Sequence, residues 1–185
     1  REKMNCDDKY LVTFLNFSMG EKTLLWEFGD GSTSTEYEPA HRYKAKGRYR
    51  AKLTVWNGIC VESLVRYITV ADEHPEFTTS VDELCKGGTI HFTLRNFNQS
   101  YISTASWHFG DGGTSTQVST SSYTYAKPGN YTMVFRYTDI NGCIGSFAKS
   151  QPIRVNGPSA NFAAQQQTIC AGATALFEDK STSDG

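Results

Sequence analysis

Two stretches of strict alternation dominate the chain. Tyr49, Ala51, Leu53 and Val55 alternate with Arg50, Lys52, Thr54 and Trp56, and Tyr131, Met133, Phe135 and Tyr137 alternate with Thr132, Val134, Arg136 and Thr138. A period of two places one set on a buried sheet face and turns the other mostly to water. Ile90-His91-Phe92-Thr93-Leu94 and the run from Leu64 to Val70 read as further strands. Asn57-Gly58, Asn141-Gly142 and Lys127-Pro128-Gly129-Asn130 are turn signals. No stretch carries a convincing helical period. Short strands with turns at regular intervals predict an all-β chain of two-sheet Greek-key sandwiches.

The pattern repeats. Trp26 recurs as Trp107, Cys60 as Cys143, and the segment Phe77 to Cys85 as Phe162 to Cys170 with the same internal spacing. The offset of about 80 to 85 residues is domain-sized, longer than a solenoid repeat. We divide the chain into a first repeat at 1–70, whose first strand is expected to be missing, a second at 75–155, and the start of a truncated third at 158–185. The connectors Ala71-Asp72-Glu73-His74-Pro75 and Asn156-Gly157-Pro158-Ser159 are short and each holds a proline, which predicts a semi-rigid string of domains.

Composition agrees with the strand pattern and narrows the function classes. Eleven Phe, ten Tyr and sixteen Gly among 185 residues suit sheets and tight turns better than helices. A net charge of −1 gives no global field to attract nucleic acid or a membrane surface. No apolar stretch approaches the roughly 18 residues of a membrane span, so no membrane insertion by this segment is expected. Arg1 and Gly185 read as arbitrary cuts, which puts any targeting signal outside the segment.

The most specific feature is a six-residue motif present twice, as Trp26-Glu27-Phe28-Gly29-Asp30-Gly31 and Trp107-His108-Phe109-Gly110-Asp111-Gly112. Trp and Phe two residues apart on a strand share a face and fill a core; the glycines allow positive φ, and Asp accepts backbone N–H groups in the turn. The alternative, Asp30 or Asp111 as a calcium ligand, needs about six to eight oxygens, and no other Asx cluster is visible, so no metal or cofactor is expected. The first repeat continues with Pro39-Ala40-His41-Arg42-Tyr43, Gly47-Arg48-Tyr49 and Asn57-Gly58. The second continues with Tyr123-Thr124-Tyr125, Pro128-Gly129-Asn130-Tyr131 and Asn141-Gly142, without the Pro and His of the middle segment. In these features residues 1–155 resemble the PKD (polycystic kidney disease) repeat. The resemblance implies tandem Ig-like sandwiches without catalytic activity, on the outside of a cell.

Five cysteines fall at matched places. Cys6 and Cys85 precede the first core strand of their repeats, and Cys60 and Cys143 follow the Asn-Gly turn. One bridge per module would pair Cys6 with Cys60 and Cys85 with Cys143, leaving Cys170 to a partner outside the segment; such bridges belong to an oxidising compartment. Zinc binding is disfavoured, since no Cys-x-x-Cys occurs and only four histidines are present. Cysteine-bearing PKD repeats of this kind look similar to those of Bacteroidetes cell-surface proteins, including gliding-motility adhesins and type IX secretion substrates. That likeness implies spacer or adhesive stalk modules, whose partners are neighbouring repeats, a surface polysaccharide or another surface protein. Sequons at Asn16, Asn98 and Asn130 would matter only in a eukaryotic secreted protein.

Signatures of hydrolases, metalloproteases and nucleotide-binding enzymes are absent, so no catalytic residue is expected. His91 and His108 read as outward strand residues, His41 as a hydrogen-bonding residue of the fold, and Glu36 with Glu38 as a solvated strand edge. One patch stands out: alternation sets Arg50, Lys52 and Trp56 on one outward face, suited to an acidic polysaccharide through cation pairing and indole stacking. The competing reading is a solubilising face whose charges block edge aggregation. Two functions follow. The first is a structural or adhesive segment of a large surface protein. The alternative is an ancillary carbohydrate- or protein-binding module of a secreted glycanase or protease.

Overall fold

The computed structural model describes residues 2–158 and 160–182. Arg1, Ser159 of the second connector and residues 183–185 at the end of the third repeat lie outside the described residues. The first repeat holds seven strands: β1 (Glu2–Met4), β2 (Leu11–Phe14), β3 (Thr23–Glu27), β4 (Thr33–Ser34), β5 (Ala40–Arg42), β6 (Gly47–Trp56) and β7 (Val61–Val70). They form two sheets, in the orders β1-β2-β5 and β4-β3-β6-β7. The chain changes sheet between β2 and β3, between β4 and β5, and between β5 and β6, as in a Greek-key sandwich. The first strand, expected to be missing, is present over three residues as β1. Glu2, Lys3 and Met4 stand opposite Phe14, Thr13 and Val12.

The core of the first repeat consists of Val12, Phe14, Trp26, Phe28, Tyr43, Ala51, Leu53, Ile68 and Val70. Ala51 and Leu53 come from one face of β6, whose other face carries Arg48, Arg50 and Lys52. β6 and β7 pair antiparallel along their whole length, from Gly47 opposite Val70 to Trp56 opposite Val61. The turn between them is closed by the Asn57 side chain, which accepts from Ile59 N at 2.9 Å and Cys60 N at 2.7 Å.

The second repeat holds β8 (Glu76–Thr79), β9 (Glu83–Cys85), β10 (Thr89–Arg95), β11 (Ile102–His108), β12 (Thr114–Ser115), β13 (Ser122–Thr124), β14 (Gly129–Tyr131), β15 (Val134–Asp139), β16 (Ile144–Ala148) and β17 (Ile153–Asn156). Their orders are β13-β10-β8, β12-β11-β15-β16 and β14-β17-β9. The single alternating run expected over 131–138 is interrupted at Thr132 and Met133, where Met133 O accepts Lys149 N at 3.0 Å. Alternation survives the break: Met133, Phe135 and Tyr137 are buried, and Thr132 and Arg136 are exposed. Beyond the second repeat, β18 (Phe162–Ala164) and β19 (Phe177–Asp179) pair with Phe162 opposite Asp179. Phe77 and Phe92 of the second repeat are core residues, but their counterparts Phe162 and Phe177 are 68% and 67% exposed.

The compact units cut across the sequence repeats. One contains Arg1–Pro75, Asn96–Ala105 and Arg136–Gly145; the other contains Glu76–Arg95, Ser106–Phe135 and Ser146–Gly185. Within the first unit the connector after β7 is packed, although its composition reads as a polar linker. Ala71 and Glu73 are fully buried. The Glu73 carboxylate accepts Asn98 N at 2.5 Å and lies 3.5 Å from Lys46 Nζ, while its backbone oxygen accepts the Tyr137 hydroxyl at 2.5 Å. Asn141 Nδ2 donates to Thr69 O at 3.0 Å, and Tyr10 donates its hydroxyl hydrogen to Asp72 at 3.0 Å.

The same unit corrects the expected disulfides. Cys6 is bonded to Cys143, with Cα atoms 5.3 Å apart, and Cys60, Cys85 and Cys170 are free and exposed. The reason is strand length. Cys6 precedes Tyr10, whose backbone oxygen accepts Tyr43 N at 3.0 Å beside the start of β6, whereas Cys60 follows the far end of β6. Ten residues at about 3.3 Å each separate the two ends by roughly 30 Å, far beyond the reach of a disulfide. The Cys85–Cys143 pairing fails as well: Cys143 belongs to the compact unit that holds its partner Cys6, and Cys85 to the other.

Removing the fully buried Glu73 carboxylate takes away the acceptor of the Asn98 N–H and the partner of the Lys46 ammonium. We therefore expect Glu73→Ala to destabilise the chain by about 1–3 kcal/mol in urea titration. His74→Ala, in the same connector but with a side chain 74% exposed, is expected to change stability by less than about 0.5 kcal/mol.

Candidate functional site

The two motif turns have the same construction. Trp26, Phe28, Trp107 and Phe109 are buried, and Gly29, Gly31, Gly110 and Gly112 have φ of +88°, +93°, +91° and +96°. The first glycine of each pair is held against the next long strand. A Cβ at Gly29 would lie 2.6–2.9 Å from backbone atoms of Arg50, and one at Gly110 would lie 2.8 and 2.9 Å from backbone N and O of Thr132. The second glycine has only its φ to satisfy, since a Cβ at Gly31 or Gly112 meets nothing within 4 Å.

Around each turn the rings form a stack that the motif alone does not reveal. His41 lies parallel to Phe28 at 4.1 Å, and Tyr123 lies parallel to Phe109 at 3.8 Å. Two residues further along, Tyr43 donates to Phe28 O at 3.0 Å and Tyr125 donates to Phe109 O at 2.8 Å. Burial pushes both of these phenols well above the ordinary tyrosine range. The missing His of the second repeat is thus replaced in kind: Tyr123 takes its stacking place and its hydrogen bond.

Both motif aspartates have partners within the fold. Asp30 lies 2.8 Å from His41 Nε2 and accepts Ser32 N at 3.0 Å together with the Ser32 hydroxyl. Asp111 accepts Gly113 N at 2.9 Å and the Tyr123 hydroxyl at 2.9 and 3.0 Å. Burial raises the Asp30 pKa, but the Ser32 hydroxyl and N–H and the His41 ring outweigh it and hold the carboxyl at about 2. These bonds engage both oxygens of each carboxylate within its own turn. Glu36 and Glu38, expected on a strand edge, lie instead in an exposed bend between β4 and β5.

The outward patch is divided by the structure. Arg50 and Trp56 are six residues apart on β6, roughly 20 Å along the strand, a span of several sugar units. Lys52 is 3.0 Å from Glu27 and forms a neutral pair. Trp56 is half-buried between Thr23 and Val61 of the flanking strands. A different aromatic accompanies Arg50: Tyr67 stands opposite it on β7 and is 55% exposed, with the Arg48 guanidinium 4.2 Å from its ring centroid. Sequence reasoning missed Tyr67 because it followed one strand. Folding the chain about the 57–60 turn brings Tyr67 opposite Arg50.

A cleft of about 790 Å³ opens on the inner face of the first repeat, lined by Phe14, Trp26, Leu53, Ile68, Phe17 and Leu64 among others. The equivalent place in the second repeat is filled. Phe77 packs edge-on against Trp107 at 5.1 Å and against Phe147 at 5.3 Å. In the first repeat Glu2 lies at this cleft; opposite Phe14, it matches Thr79 opposite Phe92, and the position matching Phe77 precedes the given sequence.

Two expectations follow from the turn. Gly29→Ala must move the β6 backbone as well as strain φ, so it should lower stability by more than about 2 kcal/mol; Gly31→Ala should cost about 1–2 kcal/mol, from φ alone. The depressed Asp30 pKa contributes stability that is complete above about pH 4, the unfolded value, and is lost as pH falls towards 2. In denaturant titrations across that range, Asp30→Asn should remove on the order of 1–2 kcal/mol at neutral pH and flatten the acid-side decline.

Comparison with known proteins supports the same repeats. A collagenase of Bacillus cereus, ColA, is 41% identical over 59 residues, which is 32% of this chain and 6% of that protein. A microbial collagenase of Vibrio alginolyticus is 52% identical over 33 residues, 18% of this chain and 4% of that protein. The chain therefore matches only a small part of either relative. Among solved structures, the fibronectin(III)-like modules of Clostridium thermocellum CbhA align with a TM-score of 0.44 at 16% identity, over 78% of this chain and 84% of that one. The amphioxus IgVJ-C2 molecule aligns with a TM-score of 0.43 at 11% identity, over 80% and 97%. The PKD domain family model matches residues 16–70 and again 72–155, and with both motif turns inside those spans the chain belongs to the PKD domain family.

Proposed function

We propose that this segment is a non-catalytic accessory part of a secreted hydrolase, holding or guiding the enzyme on a polymeric substrate, protein or polysaccharide. The observation that carries the reading is the likeness of its repeat to parts of two collagenases, 41% and 52% identical over the matched residues. Collagen is an extracellular fibre, so an accessory part of this kind works outside the cell. The spent chemistry of the motif agrees: Asp30, Asp111, His41 and Tyr123 are engaged with one another in the turns, which leaves none of them free for acid–base work. Recognition is assigned to the exposed Arg48, Arg50 and Tyr67 cluster. There the Arg48 guanidinium lies over the Tyr67 ring and Arg50 stands opposite Tyr67 in register, a combination suited to carboxylate or sulfate groups beside an apolar sugar or peptide face.

A second reading, the spacer or adhesive stalk of a large cell-surface protein, including the gliding-motility and type IX secretion setting, is supported by one feature. The Cys6–Cys143 bond ties the start of the first repeat to a turn of the second. Co-sedimentation with insoluble collagen and with a sulfated polysaccharide separates the two. Under the accessory reading the chain binds one of these polymers, Arg50→Ala combined with Tyr67→Ala weakens binding about tenfold or more, and Trp56→Ala leaves it unchanged. Failure to bind either polymer favours the spacer.

A further inference from the structure

The observed disulfide and the three free cysteines occupy repeated positions, and their placement suggests what the free ones do. Cys6 lies at the end of the first repeat from which the chain leaves: Tyr10, four residues on, hydrogen-bonds Asp72 of the connector. Cys85 is in the corresponding place of the second repeat. It stands opposite Asn156 at the end of β17, and Lys86 N donates to Asn156 O at 2.7 Å, where the second connector begins.

The hairpin cysteines correspond as well. Cys143 is presented by a turn in which Asp139 Oδ1 accepts from Asn141 N and Cys143 N, each at 2.9 Å. Cys60 is presented by a turn in which Asn57 Oδ1 accepts from Ile59 N and Cys60 N. The turn carrying Cys143 meets the first repeat's exit: Asn141 donates to Thr69 O and Tyr137 to Glu73 O, both within one compact unit. A cysteine at the exit of one repeat therefore meets the hairpin cysteine of the repeat that follows it.

We propose that this pairing recurs along the protein as a ladder of disulfides between successive repeats, whose partner surface is another copy of the same repeat. Cys85 then pairs with the hairpin cysteine of the third repeat, Cys170 with that of a fourth, and Cys60 with the exit cysteine of a preceding repeat. Each rung forms by thiol–disulfide exchange. Two thiols lose two protons and two electrons to the disulfide of an export-pathway oxidoreductase, which leaves as the dithiol. Three exposed thiols at repeated positions are otherwise out of keeping with an oxidising compartment. The proposal does not depend on whether the protein is an accessory segment or a spacer.

The test is disulfide mapping by mass spectrometry of the full-length protein, exported to an oxidising compartment, alkylated without reduction and digested. The ladder predicts a Cys6–Cys143 peptide, Cys85 linked to the hairpin cysteine of the next repeat, and Cys60 linked to the exit cysteine of the repeat before. Peptides joining Cys6 to Cys60 or Cys85 to Cys143, or alkylated Cys60 and Cys85 in the full chain, overturn it. Cys143→Ser in the 185-residue chain supplies a second readout. Cys6 should become alkylatable beside Cys60, Cys85 and Cys170, and a shift of Cys6 into a bond with Cys60 also overturns the ladder.

Discussion

The constraint on which each motif turn depends is the contact of a glycine with the backbone of the next long strand. Gly29 closes on Arg50 and Gly110 on Thr132, at separations that exclude a side chain. With the turn pressed against that strand, the ring before the glycine points into the core and the Asp after it points out over the β5 or β13 side. His41 or Tyr123 then lies flat on the Phe and reaches the Asp. Two repeats that differ in the residue used, imidazole in one and phenol in the other, arrive at the same stack. Geometry is kept here while chemistry varies, which marks the arrangement as part of folding.

Features confined to one strand or one turn were legible in the sequence, because period and turn chemistry are local. The alternation in β6, the Trp and Phe of each motif and the positive-φ glycines are of this kind. Features that depend on which ends of strands meet were not. Cysteines spaced alike in two repeats suggest a bridge within each, but β6 runs ten residues between the ends where Cys6 and Cys60 lie. The Arg50 and Trp56 patch is likewise more spread out than alternation suggests, since a shared face does not make two residues neighbours. Tyr67 is adjacent to Arg50 only through cross-strand register.

The connector shows the same limit in energetic form. Ala71-Asp72-Glu73-His74-Pro75 has the composition of a solvated linker, and its one fully buried charge, Glu73, would be costly if left alone. It is accommodated because a backbone N–H from Asn98 and the Lys46 ammonium converge on it. Those partners are more than 20 residues away on either side in sequence, so no local pattern announces them.

Recognition, if it sits on this segment, belongs to surface that folding has not already used. The motif turns are occupied by their own hydrogen bonds, and the cleft over Trp26 corresponds to space that Phe77 fills in the second repeat. The outer face of β6 and β7 differs from both. Arg48, Arg50 and Tyr67 contribute nothing to the buried core, and the second repeat places Thr132 and Arg136 on the matching alternation instead. A feature present in one repeat and unnecessary for the fold of either is where a binding role is free to arise.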